Sequence, residues 1–231
     1  MGLRGPKPEG KIKLNWTPNF AYAIGLIATD GCLSKDGRHI TFVSKEKEQI
    51  SNFKSCLGLT VKTGITTSGY KDNKAFRVQF GDVLFYQFMQ KMGLTHAKSL
   101  TMGELLIPDI YFFDFLRGCL DGDGCSYSYW DPRWKSSFMF YIGFASGSIK
   151  FLTWLRATIN RLANLQGHIS THKKKEGKNN FYQLKYAKYE AMKLVKLMYY
   201  TKSCIKLSRK YLKIKRSLDI VRTHKGVVFV R

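Results

Sequence analysis

The chain contains one segment twice, and this repeat limits its possible folds more than any other feature of its 231 residues. Residues 23–32 read AIGLIATDGC and residues 116–125 read LRGCLDGDGC. The Gly, Asp, Gly and Cys positions of the first copy recur 93 residues later, as in Gly25 to Gly118 and Asp30 to Asp123. A duplicated unit of this length predicts two equivalent structural halves within one chain.

The residues that follow each copy show the same order of elements. Each copy leads into a polar turn and a β-prone strand, then a helical pattern, a second β-hairpin and a closing helical stretch. The strands lie at 40–44 and 141–146, the helical patterns at 49–57 and 151–162, and the second hairpins at 61–81 and 168–186. The order α-β-β-α-β-β-α, present twice, predicts an α+β fold with two pseudo-symmetric halves.

Each copy itself lies on a predicted helix. The Thr-Pro pair at 17–18 provides an N-cap and a first-turn proline, and Pro108 precedes the second helix, predicted over 110–121. A glycine inside a helix costs roughly 1 kcal/mol relative to alanine, so Gly25 and Gly118 indicate that another backbone approaches there. Small residues recur at four-residue spacing, namely Ala21, Gly25 and Thr29 in the first helix and Gly118 and Gly122 in the second. We therefore expect the two helices to pack against each other at close range.

The chain carries a net charge of +23, from 39 Lys and Arg against 16 Asp and Glu, which is far more than solubility requires. This excess indicates a polyanionic partner, and nucleic acid is the first candidate. No run of about 18 apolar residues is present, so a membrane partner is not expected.

The five cysteines show no C-x-x-C pairing and residues 1–13 show no apolar secretory segment. We therefore expect reduced thiols and a location inside the cell, in the cytoplasm, the nucleoid or an organelle matrix.

The last strand of each half alternates between apolar and polar residues. The polar positions are Arg77 and Gln79 in the first half and Gln183 and Lys185 in the second. Alternation of this kind predicts sheets with one face packed on helices and one polar face. In so basic a chain we interpret the polar faces as surfaces that read base edges in the major groove of double-stranded DNA.

Further basic residues are expected to contact DNA. Arg133 and Lys135, in the long hairpin of the second half, are expected to read bases, whereas lysines in the hairpin turns are expected to grip phosphates. The remaining expected contacts are Lys35, Arg38, Lys62, Lys71, Lys74, Lys173, Lys174, Lys175 and Lys178. The aromatic residues of the long hairpin, Tyr127, Tyr129, Trp130 and Trp134, could pack on the sheet or touch DNA, and we expect them to pack on the sheet.

The two equivalent aspartates end the two predicted helices. If the helices pack side by side, Asp30 and Asp123 come together, where they repel each other and the negative ends of the helix dipoles. A divalent cation relieves this repulsion, and Mg²⁺ is suited because it binds one or two carboxylates together with waters and phosphate oxygens. Such an ion can activate water and stabilise the leaving oxygen in phosphodiester hydrolysis, so the pattern predicts metal-dependent cleavage.

The two repeated segments resemble the signature helices of the LAGLIDADG homing endonuclease family in its single-chain, double-motif form. The second copy is close to the family pattern, whereas the first has Ala28 where an acidic residue is usual. The resemblance implies two αββαββα half-domains with saddle-shaped antiparallel sheets and paired motif helices at their interface. It also implies a monomeric, intron-encoded enzyme that makes double-strand breaks in a long DNA target. The corresponding boundaries are a basic arm at 1–15, half-domains at 16–107 and 108–218, and an extension at 219–231.

The resemblance further implies which residues hold the metal. The family's metal-binding acid is the last Asp of the motif, here Asp30 and Asp123, and we expect Thr29 and Gly122 to lie beside them at the metal. Mg²⁺ is the expected cofactor, with Mn²⁺ able to substitute. Ca²⁺ is expected to support DNA binding without efficient cleavage, because it prefers looser and longer coordination.

The resemblance also implies residues that act on the water and the phosphate. Ser44 and Ser146, at the ends of the second strands, would lie near the attacking water. A basic residue in the later part of each half would stabilise the transition state. Lys98 fits this role in the first half, and Lys206 and Lys210 both fit it in the second, with Lys206 preferred.

Other functions fit parts of the pattern. A protein of the same fold without nuclease activity could serve as an RNA-splicing maturase, with intron RNA as a partner, or as a DNA-binding regulator. The presence of both Asp30 and Asp123 argues against these functions. A nuclease embedded in an intein is disfavoured, because the chain begins at Met1 and shows no splicing-type Cys or Ser start and no terminal His-Asn. The five histidines show no clustered metal-ligand spacing, which disfavours other metal nucleases.

Overall fold

The computed structural model of the chain describes residues 10–67, 74–134, 136–172 and 180–225. Its elements form two halves, each with helices and one four-stranded antiparallel sheet. The first half contains α1 (Pro18–Asp30), β1 (Gly31–Leu33), β2 (His39–Ser44), α2 (Lys47–Leu57), β3 (Gly64–Thr67), β4 (Lys74–Gly81), α3 (Val83–Lys91) and α4 (Lys98–Thr101). The second contains α5 (Phe112–Asp121), β5 (Cys125–Trp130), β6 (Phe138–Ser146), α6 (Ile149–Ala163), β7 (His168–His172), β8 (Phe181–Ala187), α7 (Lys188–Met198) and α8 (Ser208–Lys225). The predicted α+β class and duplicated order are confirmed.

The two sheets have the same strand order, β1-β2-β4-β3 in the first half and β5-β6-β8-β7 in the second. The predicted alternation is present in β4, where Val78 and Phe80 are buried and Arg77 and Gln79 are exposed. In β8, Leu184 and Tyr186 are buried. Each sheet therefore packs its apolar face on helices and presents the other face, here called the open face, to solvent.

The motif helices α1 and α5 pack against each other as predicted. Thr17 caps α1, since its hydroxyl accepts a hydrogen bond from the Phe20 N–H at 3.1 Å. A Cβ built on Gly25 would lie 2.1 Å from the Phe115 carbonyl oxygen, and one built on Gly118 would lie 2.1 Å from the Tyr22 carbonyl oxygen. These distances exclude any side chain, so the close approach of the two backbones depends on both glycines.

The beginning of α5 and the end of the second half differ from the prediction. Residues Asp109–Tyr111 form a 3₁₀ turn, because the Tyr111 N–H bonds the Pro108 carbonyl at 2.9 Å, and the α-helix starts only at Phe112. The predicted boundary at 218/219 falls inside α8, whose buried residues Ile214 and Val221 lie on both sides of it. Residues 226–231 of the predicted extension and residues 1–9 of the predicted arm lie outside the described residues. None of the described helices is both long and apolar enough to cross a membrane.

Candidate active site at the ends of the paired helices

The packing of α1 on α5 brings the two aspartates to one place. Asp30 is the last residue of α1, and Asp123 follows α5 by two residues. A Cβ built on Gly122 would lie 3.0 Å from Asp30 Oδ2 and 2.0 Å from Thr29 Oγ1. The end of the first motif therefore lies directly against the end of the second, without room for a larger residue at position 122.

Both carboxyl groups are costly to ionise at this place in the fold. Burial, and then the charge of Asp123, raises the pKa of Asp30 from 3.8 to about 6, although Lys210 and Lys98 oppose this shift. Burial also raises the pKa of Asp123. A bound cation stabilises the ionised form of buried carboxyl groups that lie next to each other. The described residues contain no cluster of three or more His, Cys, Asp or Glu side chains, so a bound ion would need other oxygen ligands as well.

Lys98 lies beside the end of α1. Its side chain is only 6% exposed, and its ammonium donates hydrogen bonds to the carbonyl oxygens of Gly31 at 2.6 Å and Thr29 at 3.4 Å. Burial lowers the pKa of Lys98, and the nearby acidic groups oppose that shift. The short helix α4 thus places one cation at the first motif.

Lys210, in the first turn of α8, has the equivalent place in the second half. Burial lowers the pKa of Lys210, whereas Asp121 and Asp30 raise it. Its ammonium donates hydrogen bonds to the carbonyl oxygens of Leu120 at 2.8 Å, Gly122 at 2.6 Å and Gly124 at 2.8 Å. The same contact with the backbone after a motif helix is therefore made by Lys98 in one half and Lys210 in the other.

The structure corrects the preference for Lys206. Its ammonium bonds the carbonyl oxygens of Lys202 at 2.9 Å and Cys204 at 3.0 Å and lies 5.0 Å from the centre of the Tyr211 ring. Lys206 precedes α8, and its ammonium stays with carbonyl oxygens of the loop before that helix. The sequence could not distinguish the two lysines because the start of α8 at Ser208 was not predicted.

Thr29 and Gly122 lie at the helix ends as expected. The Thr29 hydroxyl donates to the Gly25 and Leu26 carbonyls at 3.1 Å, so it is used within α1. The main-chain oxygens of both residues face a lysine, Lys98 for Thr29 and Lys210 for Gly122. Because the Thr29 hydroxyl is used within α1 and Gly122 has no side chain, only the main-chain oxygens of these two residues could join a metal site.

The two serines differ in their surroundings. The Ser44 hydroxyl is buried and donates to Gln49 Oε1 at 2.6 Å, while Gln49 Nε2 donates to the Asp121 carbonyl at 2.9 Å. Ser146 accepts a hydrogen bond from the Ser148 N–H and lines a cavity of about 60 Å³ together with Lys98 and Asp123. The equivalent of Gln49 in the second half is Phe151, which also lines the cavity. This difference was not predicted, because the two strand ends both carry a serine and are equivalent in sequence.

The expected DNA contacts are only partly described. Arg77 and Gln79 are exposed on the open face of the first sheet, whereas Gln183 and Lys185 are half-buried on the second. Exposed positions are also found for Lys35, Arg38, Lys62, Lys74 and Arg133. Arg133 forms an ion pair with Asp131 at 3.0 Å, which occupies part of its guanidinium. The expected contacts outside the described residues are Lys71, Lys135, Lys173, Lys174, Lys175 and Lys178.

The aromatic residues of the long hairpin divide into two groups. Tyr127 stacks on Tyr141 with ring centres 4.8 Å apart, and Trp130 packs edge-on against Phe138 at 5.1 Å. Trp134 is 69% exposed, so the expectation that it packs on the sheet is wrong. Trp134 lies in the turn between β5 and β6, outside both strands.

The motif also contains a buried polar cluster that sequence analysis missed. Asp121 is 1% exposed and accepts hydrogen bonds from the Tyr22 hydroxyl and the Leu207 N–H. The fully buried Arg117 pairs with Asp114 at 2.8 Å and donates to the Met198 carbonyl at 2.6 Å. The signal available in the sequence was the pair of charged residues inside an apolar helix, because charges are rarely buried without partners.

No protein-family model and no curated protein matches this sequence. Solved structures match its fold. The I-LtrWI LAGLIDADG homing endonuclease bound to target DNA aligns with a TM-score of 0.59 and 14% identity, over 89% of this chain and 91% of that one. I-DmoI in complex with DNA and Ca aligns with a TM-score of 0.54 and 13% identity, over 86% and 97% of the two chains. Full-length DUF199/WhiA from Thermatoga maritima aligns with a TM-score of 0.52 and 13% identity, over 91% and 68%. The chain therefore has a LAGLIDADG-type fold.

Proposed function

We propose that this chain is a site-specific endonuclease that makes metal-dependent double-strand breaks in a long DNA target by hydrolysing phosphodiester bonds. The observation that carries the proposal is the meeting of Asp30 and Asp123 at the ends of α1 and α5, with Lys98 and Lys210 bound to the adjacent backbone. Cleavage of each DNA strand needs one carboxylate and one ammonium group. The two halves of the site provide two equivalent sets of these groups, which suits the two strands of a duplex.

The groups at the helix ends fit a divalent cation such as Mg²⁺ or Mn²⁺. Asp30 and Asp123 would hold it, and the main-chain oxygens of Thr29 and Gly122, the residues that directly precede them, would complete its protein ligands. Mg²⁺ keeps several waters and binds phosphate oxygens, which suits a site with only two carboxylates. When bound, the metal supplies a water of lowered pKa and offsets the negative charge on the phosphate.

The chain's own residues would orient the water and stabilise the phosphate. The ammonium groups of Lys98 and Lys210 are preorganised by main-chain carbonyls, so they can oppose developing negative charge without reorganising. Ser146 opens on the 60 Å³ cavity, which can hold a water of roughly 30 Å³. Its hydroxyl would orient a water but is too weak a base to deprotonate it.

The open faces of the two sheets would lie on the DNA. They contain Arg77 and Gln79 in the first half and Gln183 and Lys185 in the second, and the whole chain carries a net charge of +23. Arg suits guanine and Gln suits adenine in the major groove, whereas exposed lysines near the turns suit phosphates. Proteins of this fold, I-LtrWI and I-DmoI, are bound to DNA in their structures, which supports this placement.

Cleavage by charge-neutral variants tests the proposal. Asp30→Asn and Asp123→Asn keep the size of each side chain but remove a metal-binding charge. We expect each variant to bind DNA in Ca²⁺ and to lose cleavage in Mg²⁺ by several orders of magnitude, since the metal supplies both nucleophile and charge stabilisation. The assay is digestion of a duplex selected from a randomised library by binding to the protein, with a gel shift of the same duplex.

A matched substitution controls for nonspecific effects. Asp109, at the opposite end of the second motif helix, forms an exposed ion pair with Arg161. Asp109→Asn makes the same chemical change outside the site and should retain wild-type cleavage. Undiminished double-strand cutting by the double variant Asp30→Asn, Asp123→Asn would overturn the assignment.

A second candidate is a DNA- or RNA-binding protein that does not cut. It is supported by the alignment with full-length DUF199/WhiA over 91% of this chain, because that protein has the same fold without being named an endonuclease. Tight binding of the selected duplex with no cleavage in Mg²⁺ or Mn²⁺ would favour this function. Intron RNA is a separate ligand to test by the same gel shift.

A further inference from the structure

We propose that Asp121 is the positioning residue that fixes Lys210 in its half of the site, and that the first half has no equivalent device. This inference rests on the proposed function. The Asp121 carboxylate is bonded to Tyr22 and to the Leu207 N–H next to α8, so its role would be exerted through α8. One of the two strands would therefore depend on Asp121 for its cleavage, whereas the other would not.

The Asp121 carboxylate joins three elements. One of its oxygens accepts hydrogen bonds from the Tyr22 hydroxyl of α1 at 2.8 Å and from the Leu207 N–H at 2.7 Å. Leu207 immediately precedes α8, where a carboxylate satisfies a free N–H and interacts favourably with the helix dipole. Lys210 follows three residues later, so the orientation of the first turn of α8 sets the position of its ammonium.

The segment before α8 has one other anchor to α5, the hydrogen bond from Arg117 Nε to the Ile205 carbonyl at 2.8 Å, two residues before Leu207. Residues on both sides of Leu207 bond the first half instead: the Lys206 carbonyl accepts from Asn52 Nδ2 at 2.9 Å, and Arg209 pairs with Glu46 at 2.8 Å. Without Asp121, these contacts would hold α8 to α2 rather than to α5. Asp121 is thus the link that directs Lys210 to the backbone at the end of α5.

The equivalent positions in the first motif cannot form this link. With the offset of 93 residues, Asp121 corresponds to Ala28 and Tyr22 corresponds to Phe115, and both of these side chains are apolar. Lys98 is instead carried by the short helix α4, with Ala97 before it at φ 55°. The absence of an acid at position 28 is therefore matched by a different way of placing the lysine.

Strand-specific cleavage tests this inference. The selected duplex is labelled on one strand or the other, and Lys98→Met and Lys210→Met identify the strand that depends on each lysine. Asp121→Ala should slow cleavage of the Lys210-dependent strand about tenfold or more, in line with the loss of an outer-shell partner. Cleavage of the Lys98-dependent strand should stay close to wild type. Tyr22→Phe, which removes one hydrogen bond, should cause a smaller loss on the same strand.

A second measurement does not require cleavage. Lysine acylation followed by peptide mass spectrometry should show faster modification of Lys210 in Asp121→Ala than in wild type, with Lys98 unchanged. Leu155→Ala, a buried truncation in α6, is the matched control for general loss of stability and should not change the ratio of the two rates. If Asp121→Ala does not fold, Asp121→Asn and Tyr22→Phe replace it.

The outcomes separate the two proposals. Equal slowing of both strands by folded Asp121→Ala, or unchanged acylation of Lys210, would overturn the positioning role. A wild-type protein that binds the duplex without cutting it would overturn the proposed function, whereas the acylation result would still decide whether Asp121 positions Lys210.

Discussion

At the scale of single residues, the site places like charges where they destabilise the folded chain. Asp30 has a pKa raised to about 6 by burial and by Asp123, so its ionised form is less favourable in the folded state than in the unfolded one. Groups that lower stability in this way are typical of functional sites, because a ligand offsets their cost. The two lysines reduce this cost without removing it.

This arrangement predicts a pH-dependent effect of Asp30→Asn in metal-free protein. The folded state binds the Asp30 proton more tightly than the unfolded state, so wild-type stability falls as pH rises from about 4 through about 6. Asp30→Asn removes that loss. We expect the variant to unfold at a higher temperature than wild type at pH 8 in EDTA, with the difference vanishing near pH 4.

Asp109→Asn is the control, since its ion pair with Arg161 lowers the pKa of Asp109 and gives the opposite sign. That variant should be no more stable than wild type at pH 8. Thermal melts of the three proteins across pH provide the measurement, and a destabilised Asp30→Asn at pH 8 would contradict the prediction.

At the scale of the elements, the contact between α1 and α5 depends on the absence of side chains. The Cβ of an alanine at position 25 would lie 2.1 Å from the Phe115 carbonyl oxygen, and backbone on both sides prevents a small local adjustment. Separation of the helices would also separate Asp30 from Asp123. Stability and the geometry of the site therefore depend on the same contact.

We expect Gly25→Ala to lower the free energy of unfolding by about 3 kcal/mol, the upper part of the range for overpacked cores. Gly103→Ala is the matched control, because a Cβ there meets no atom within 4 Å and should change stability by less than about 0.5 kcal/mol. Urea denaturation of the two variants measures both values. Equal effects of the two substitutions would show that the helices can separate without cost.

The paired helices and the sheets were predictable from the sequence because their signals are local. Gly25 and Gly118 stand out inside apolar helices, and alternation in β4 shows which side chains face outward. The placement of Lys210 rather than Lys206 was not predictable, since it depends on where α8 begins and on its contact with α5. The bond between Ser44 and Gln49 also depends on the third dimension, because it links a strand end to the next helix.

At the scale of the whole molecule, positive charge is far in excess, and only part of it is used within the fold. The described ion pairs join a few basic residues to acids, such as Arg117 to Asp114. Other basic residues, such as Lys35, Lys62 and Arg77, are exposed to solvent. A chain of +23 repels itself, so a polyanion bound along the open faces would relieve that repulsion. The duplicated halves place two such faces in one chain.

This charge predicts steep salt dependence of DNA binding. Each phosphate neutralised by the protein releases counterions and contributes about −0.9 to the slope of log affinity against log salt concentration. We expect a slope steeper than about −5 for the selected duplex.

Two variants that each remove one positive charge test where the protein contacts DNA. Lys35→Ala, in the exposed turn between β1 and β2, should make the slope shallower by about 1. Lys91→Ala, at the end of α3 in the helical layer, removes the same charge and should leave the slope unchanged. Fluorescence anisotropy at several salt concentrations gives the three slopes. A nearly flat dependence for wild type would show that the positive charge does not serve DNA binding. Equal changes of slope in both variants would mean that net charge, rather than contact at the open faces, controls binding.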